Sequence, residues 1–134
     1  MDGGEPGLCL YAGDDQVIHY SLAEDGWKLE IRKTGMPAFL HGSTTFFILD
    51  FEDEKTLKSA PVKYRSFLRK IKVFSAEETV KRAESRIGEK EYNLISNNCE
   101  HFAIWCKTGI SESYQVEQYL KFVPKIKKKT VPNY

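Results

Sequence analysis

The sequence predicts an α+β fold, an antiparallel sheet packed against helices. Two observations lead there. Short β-rich runs fill residues 8 to 51, the first pair joined by a tight turn. Two helical runs with clear start and stop signals follow residue 75. The 134 residues suit one core, and 41% apolar with 29% charged residues describes an ordinary globular chain.

The elements follow in order. "LCLYAGDDQVIHY" reads as a hairpin, with strands over 8–12 and 16–20 flanking Gly-Asp-Asp. Leu8, Leu10 and Ala12 share one strand face, and Val17 and His19 share another. "WKLEIR" alternates, so Trp27, Leu29 and Ile31 point inward while Lys28, Glu30 and Arg32 face water. "TTFFILDF", 44–51, reads as a fourth and more completely buried strand, with Phe46 and Phe47 in the core. Residues 52–62 read as a loop. "KYRSFLRKIKVF" fits a basic amphipathic helix, but "KIKVF" alternates, and a strand close to Phe74 is the preferred reading.

Ser75 followed by Glu78 is a capping box, with Val80, Ala83 and Ile87 at helical spacing and Gly88 as the stop. Asn97 or Asn98 then caps a second helix that runs through Lys107 to Gly109. Residues 1–120 form the expected domain, and 121–134 a basic tail.

Charge excludes little. The net charge of +1 creates no global field for nucleic acid. Seven basic and no acidic residues lie within 55–72, and "KFVPKIKKKTVPNY" adds five lysines. Such runs are ordinarily solvated. As a functional surface, Lys125, Lys127, Lys128 and Lys129 would meet an anionic membrane or an acidic partner. The three cysteines, Cys9, Cys99 and Cys106, match no zinc spacing, and neither metal nor cofactor is expected. An odd cysteine count without a secretory signal suits a reducing compartment, hence a cytoplasmic protein or one peripheral at membranes. Oligomeric state is left open.

Chemistry concentrates in "LISNNCEHFAIWCKTG", 94–109. With Asn98 as cap, Cys99 falls in the first helical turn, where unpaired N–H groups and the dipole favour a thiolate. The same N–H groups suit a developing oxyanion. His101 is a poor base for this thiol, because two residues along a helix is about 200° of rotation. It reads as support for the helix start or a neighbouring loop. Cys106, near the helix C-terminus, reads as packing. His19, on the sheet, is the candidate partner of a Cys–His pair. His41 reads as a surface residue. Tyr11 reads as a packing residue with a possible place at the oxyanion pocket.

"NNCEHFAIWCKTG" resembles the NC box of lecithin:retinol acyltransferase-like domains, which share the NlpC/P60 thiol fold. The picornaviral H-box/NC proteins are a divergent branch of the same class. "LYAGDDQVIHYS" is similar to the family's strand-turn-strand, and "VKRAESRIGEKEYNLISNNCEHF" to its helix, connector and cysteine helix. The resemblance covers roughly residues 7 to 120. It implies an acyl-thioester on Cys99, phospholipid or another acyl donor as substrate, and His19 as the orienting histidine. The family's base histidine would stand at Gly7, and no histidine precedes His19. The first strand or strands are accordingly expected to be missing or rearranged. A one-strand shift moves a side chain about 4.8 Å, so His19 replaces that base only in a re-registered sheet. The alternative is a catalytically inactive binding module that contacts protein, membrane or nucleic acid through its basic segments.

Overall fold

The computed structural model describes residues 8–22, 26, 28–43, 45–50, 60–93, 95–123 and 125–130. Strands β1 (Leu10–Gly13), β2 (Gln16–Leu22) and β3 (Leu29–Gly35) form one antiparallel sheet in the order β1-β2-β3. Asp14 and Asp15 form the first turn with φ of 51° and 61°, so both central residues are left-handed, which matches the twist of a hairpin. Leu10 pairs with Ile18, and Val17 with Thr34.

The two faces of β2 face different layers. Ile18 packs with Ile31, Ala83, Phe102 and Cys106 under the helices α3 (Ala76–Glu84) and α4 (Cys99–Thr108). Val17 packs with Met36, Phe39 and Leu40 of α1 (Met36–Leu40). Period-two alternation therefore divides one strand between two cores. A third cluster joins α2 (Val62–Lys70), α4 and α5 (Ser113–Phe122) through Leu68, Ile104, Val116, Tyr119 and Phe122. Phe102 has no exposed surface, and its truncation to alanine would cost roughly 3–5 kcal/mol.

Gly88 and Glu89, in the turn after α3, exchange backbone hydrogen bonds with Ile31 of β3, at 2.7 and 2.9 Å. This fastens the helical layer to the sheet. Helix α3 stops at Glu84, before the expected Gly88, and Ile87 is exposed. Ser75 caps α3 as its spacing predicts, accepting from the Glu78 N–H at 3.1 Å.

Two expectations need correction. The strand close to Phe74 is absent: 62–70 is α2, and 71–75 is an irregular connection whose Phe74 N–H donates to Lys107 O. Leu68 is buried while Phe67 and Ile71 pack against its cluster, so helical spacing outweighed the short alternation of "KIKVF". The basic C-terminal segment is also not simply a loose end. Lys125–Thr130 is β5, paired antiparallel with β4 (Thr45–Asp50) in a separate two-stranded sheet. The fourth strand thus exists, but its partner comes from the far end of the chain. Trp27 lies outside the described residues, as do the side chains of Phe46 and Phe47.

Candidate functional site

Asn98 opens α4, and its side chain accepts from the N–H groups of Glu100 and His101, both at 3.0 Å. His101 sits at the third helical position and returns the contact. Its Nδ1 lies 2.7 Å from Asn98 Oδ1 and 3.4 Å from the Asn98 backbone N. Its Nε2 lies 2.9 Å from Ser113 Oγ of α5. The buried His101 ring thus locks the first turn of α4 to the start of α5 and offers no nitrogen to Cys99.

Cys99 is the first residue of α4 and is half-buried. Phe102 N–H donates to Asn98 O at 3.0 Å, so the donors of residues 100, 101 and 102 are all taken at the helix start. The Cys99 N–H has no acceptor among the described residues. An unclaimed donor and the positive end of the helix therefore flank the sulfur. Gly109 closes the helix at φ 82°, donating to Trp105 O at 2.8 Å. Arg82 of α3 donates to the carbonyls of Trp105 and Cys106 and lies over the Trp105 ring, placing a cation at the negative end.

Burial, and secondarily the charge that Cys99 carries when ionised, push the Cys9 thiol up to about 12. Burial and then the same Cys99 charge also raise the Tyr92 phenol. Cys9, just before β1, and Tyr92 thus both feel the charge of an ionised Cys99. Cys106 is fully buried, and that burial pushes its thiol up to about 12.

His19 is held elsewhere. Its Nδ1 lies 3.1 Å from Tyr20 O, and its Nε2 lies 2.8 Å from Thr34 Oγ1 on β3. A carbonyl only accepts, so Nδ1 carries the proton of the neutral ring; the Thr34 hydroxyl proton has two acceptors in reach, Nε2 at 2.8 Å and Gly35 O at 3.2 Å. The ring meets Phe39 edge-on at 5.2 Å. Burial lowers its pKa, Tyr20 O raises it to a lesser degree, and Arg32 lowers it further. The imidazole is directed across to β3, where Thr34 meets its Nε2. No hydrogen bond joins it to the Cys99 thiol among the described residues.

Tyr11 is 56% exposed, and its hydroxyl accepts the Asp15 N–H at 3.1 Å, which ties it to the hairpin turn. His41 is exposed at the left-handed C-cap of α1. Sequence reasoning passed over Thr34, Cys9 and Ser113. Only the β2–β3 register, with Val17 opposite Thr34, brings Thr34 within reach of His19. Among the described residues no group of His, Cys, Asp or Glu could hold a metal ion. A cleft of about 280 Å³ is lined by Arg86, Asn97, His101 and Trp105 among others.

The lecithin retinol acyltransferase family model matches residues 8–112. Lecithin retinol acyltransferase of Rattus norvegicus is 29% identical over 119 residues, covering 82% of this chain and 52% of that protein. Phospholipase A and acyltransferase 2 of Homo sapiens is 31% identical over 111 residues, covering 80% of this chain and 65% of that protein. The chain spans about half the length of the first of these relatives. No solved structure matches it. The α+β architecture, the helix that begins at Cys99 and a family match over most of its length make this chain a member of the lecithin retinol acyltransferase family.

Proposed function

We propose that the chain is an acyl-transfer domain of the phospholipase A and acyltransferase type, working through a thioester on Cys99. The observation that carries this reading is the position of Cys99, first in α4 with its own N–H unclaimed. The sulfur attacks the carbonyl carbon of a phospholipid ester. An S–C bond forms, the C–O bond to the glycerol oxygen breaks, and the thiol proton ends on the departing alcohol. An amine, alcohol or water then takes the acyl group. The Cys99 N–H would meet the oxyanion in both steps. His19 is the proton carrier of this scheme: its lowered pKa keeps it neutral near pH 7, with a lone pair on Nε2. It serves only after turning from Thr34, which gives up one hydrogen bond of about 1 kcal/mol.

That Thr34 contact favours a second reading, a family member that binds lipid or protein without turnover. Gly7, at the base histidine's place in the family pattern, points the same way. In either reading Lys125, Lys127, Lys128 and Lys129 would favour an anionic surface by about 1 kcal/mol per charge at low salt.

The test is intact-protein mass spectrometry after incubation with a short-chain phosphatidylcholine. The expected result is one acyl mass on Cys99, lost in Cys99→Ala. Cys9 and Cys106, both with thiols raised to about 12, should carry none. A protein that stays unmodified, with no free fatty acid above the Cys99→Ala background, leaves the binding reading in its place.

A further inference from the structure

Residues 93–97 form a closed turn immediately before the cysteine helix. Asn93 and Asn97 exchange backbone hydrogen bonds at 3.1 and 2.9 Å. The Asn93 side chain accepts from the N–H groups of Ile95 and Ser96 at 2.9 and 3.1 Å. With its backbone satisfied in this way, the turn holds Ile95 outward, 80% exposed. A single exposed aliphatic residue is ordinary. The surroundings of this one are not.

Ser113 Oγ donates to Ile95 O at 3.4 Å, which puts the start of α5 beside the turn. The next residue, Tyr114, is 53% exposed, and its ring meets Tyr64 of α2 edge-on at 5.6 Å with their hydroxyls joined. Lys63 Nζ lies 5.1 Å from the centre of the Tyr64 ring. The Ile95 turn thus adjoins the start of α5, and from Tyr114 a half-buried second phenol and an ammonium group follow in contact with one another. This is the composition of an interfacial belt. Aliphatic groups enter the hydrocarbon, tyrosines stay at headgroup depth, and a lysine meets lipid phosphate. Among the described residues no helix is long and apolar enough to cross a membrane.

We propose that the Ile95 turn and the Tyr114–Tyr64–Lys63 rim form a phospholipid-docking face that sets Cys99 at the membrane surface. Ile95 precedes Cys99 by four residues, so their Cα atoms are at most about 14 Å apart. The bond from His101 to Ser113 fixes the turn, α5 and the thiol-bearing helix together. The purpose of docking rests on the acyl-transfer reading, but docking itself is measured without turnover.

The test uses the full chain with vesicles of phosphatidylcholine containing a minority of phosphatidylserine, in high salt so that the lysine-rich strand contributes little. Ile95→Asp should lower partitioning by roughly tenfold or more, because it removes a buried aliphatic side chain and adds a charge. In Ile95→Trp, the emission difference from wild type should shift to the blue on adding vesicles, and brominated acyl chains should quench it. The proposal is overturned if wild type does not partition in high salt, if Ile95→Asp partitions like wild type, or if the introduced indole reports no change while the protein binds. A blue shift that depends on protein concentration without vesicles identifies a second copy as the occupant, and also overturns it. Acylation of Cys99 by a water-soluble p-nitrophenyl ester should be unchanged in Ile95→Asp. Its absence in wild type as well counts against the acyl-transfer reading and leaves the partitioning result standing.

Discussion

His19 shows how one buried ring links stability to pH. The ring is held neutral between Tyr20 O and Thr34, and burial, the largest cause, lowers its pKa from the ordinary 6.5. The unfolded chain therefore binds this proton at higher pH than the folded chain does. Its contribution to stability is fully present above the ordinary value and is lost as pH falls through the lowered one. Urea midpoints of wild type and His19→Gln, measured from pH 7 down to pH 4, should converge as the solution acidifies. Parallel curves would mean that His19 titrates as in the unfolded chain. At this scale the sequence was informative about Cys99, because "SNNCEH" before an apolar run marks a helix start by local hydrogen-bonding chemistry. It was silent about Thr34, since that contact depends on strand register fifteen residues away.

Among the elements, α4 has the clearest origin in sequence. Asn98 satisfies two N–H groups, His101 answers from the third position, and Gly109 supplies the left-handed end. Asn98→Ala removes a cap used twice and leaves His101 Nδ1 without Asn98 Oδ1. It should cost about 1–2 kcal/mol, read as a lower denaturant midpoint at unchanged slope. It should also slow any acylation of Cys99, whose position depends on this turn. A variant with wild-type stability would show that neighbouring groups take over the cap. Element α2 was harder to read. Its residues satisfy both a helical stripe and a brief alternation, and packing against α5 and α4 decided between them. The short α1 carried no signal, because five residues with Pro37 near the start are held by Phe39 and Leu40 packing under Val17.

At the scale of the whole molecule, sequence order and spatial order diverge most at the second sheet. Strand β4 is legible as a strand from "TTFFILDF", but nothing near it in sequence indicates its partner. That partner is lysine-rich β5, in register from Thr45 opposite Thr130 to Asp50 opposite Lys125. Four lysines in six residues read as a solvated end because strands usually avoid them. On a two-stranded sheet they are tolerated, and Lys128 and Lys129 are exposed. Charged residues of this kind also discourage further pairing at an edge. The sheet β1-β2-β3 is stitched to the helices separately, through Ile31 with Gly88 and Glu89 and through the core around Phe102. Removal of 125–134 should therefore act locally. Amide hydrogens of 45–50 should exchange at least tenfold faster, since their ladder partner is gone. Those of β2 and β3 should keep their protection. Hydrogen-exchange mass spectrometry of full and shortened chains separates the outcomes. If β2 loses protection along with β4, the two sheets unfold as one unit, and the lysine strand is part of the fold that supports Cys99.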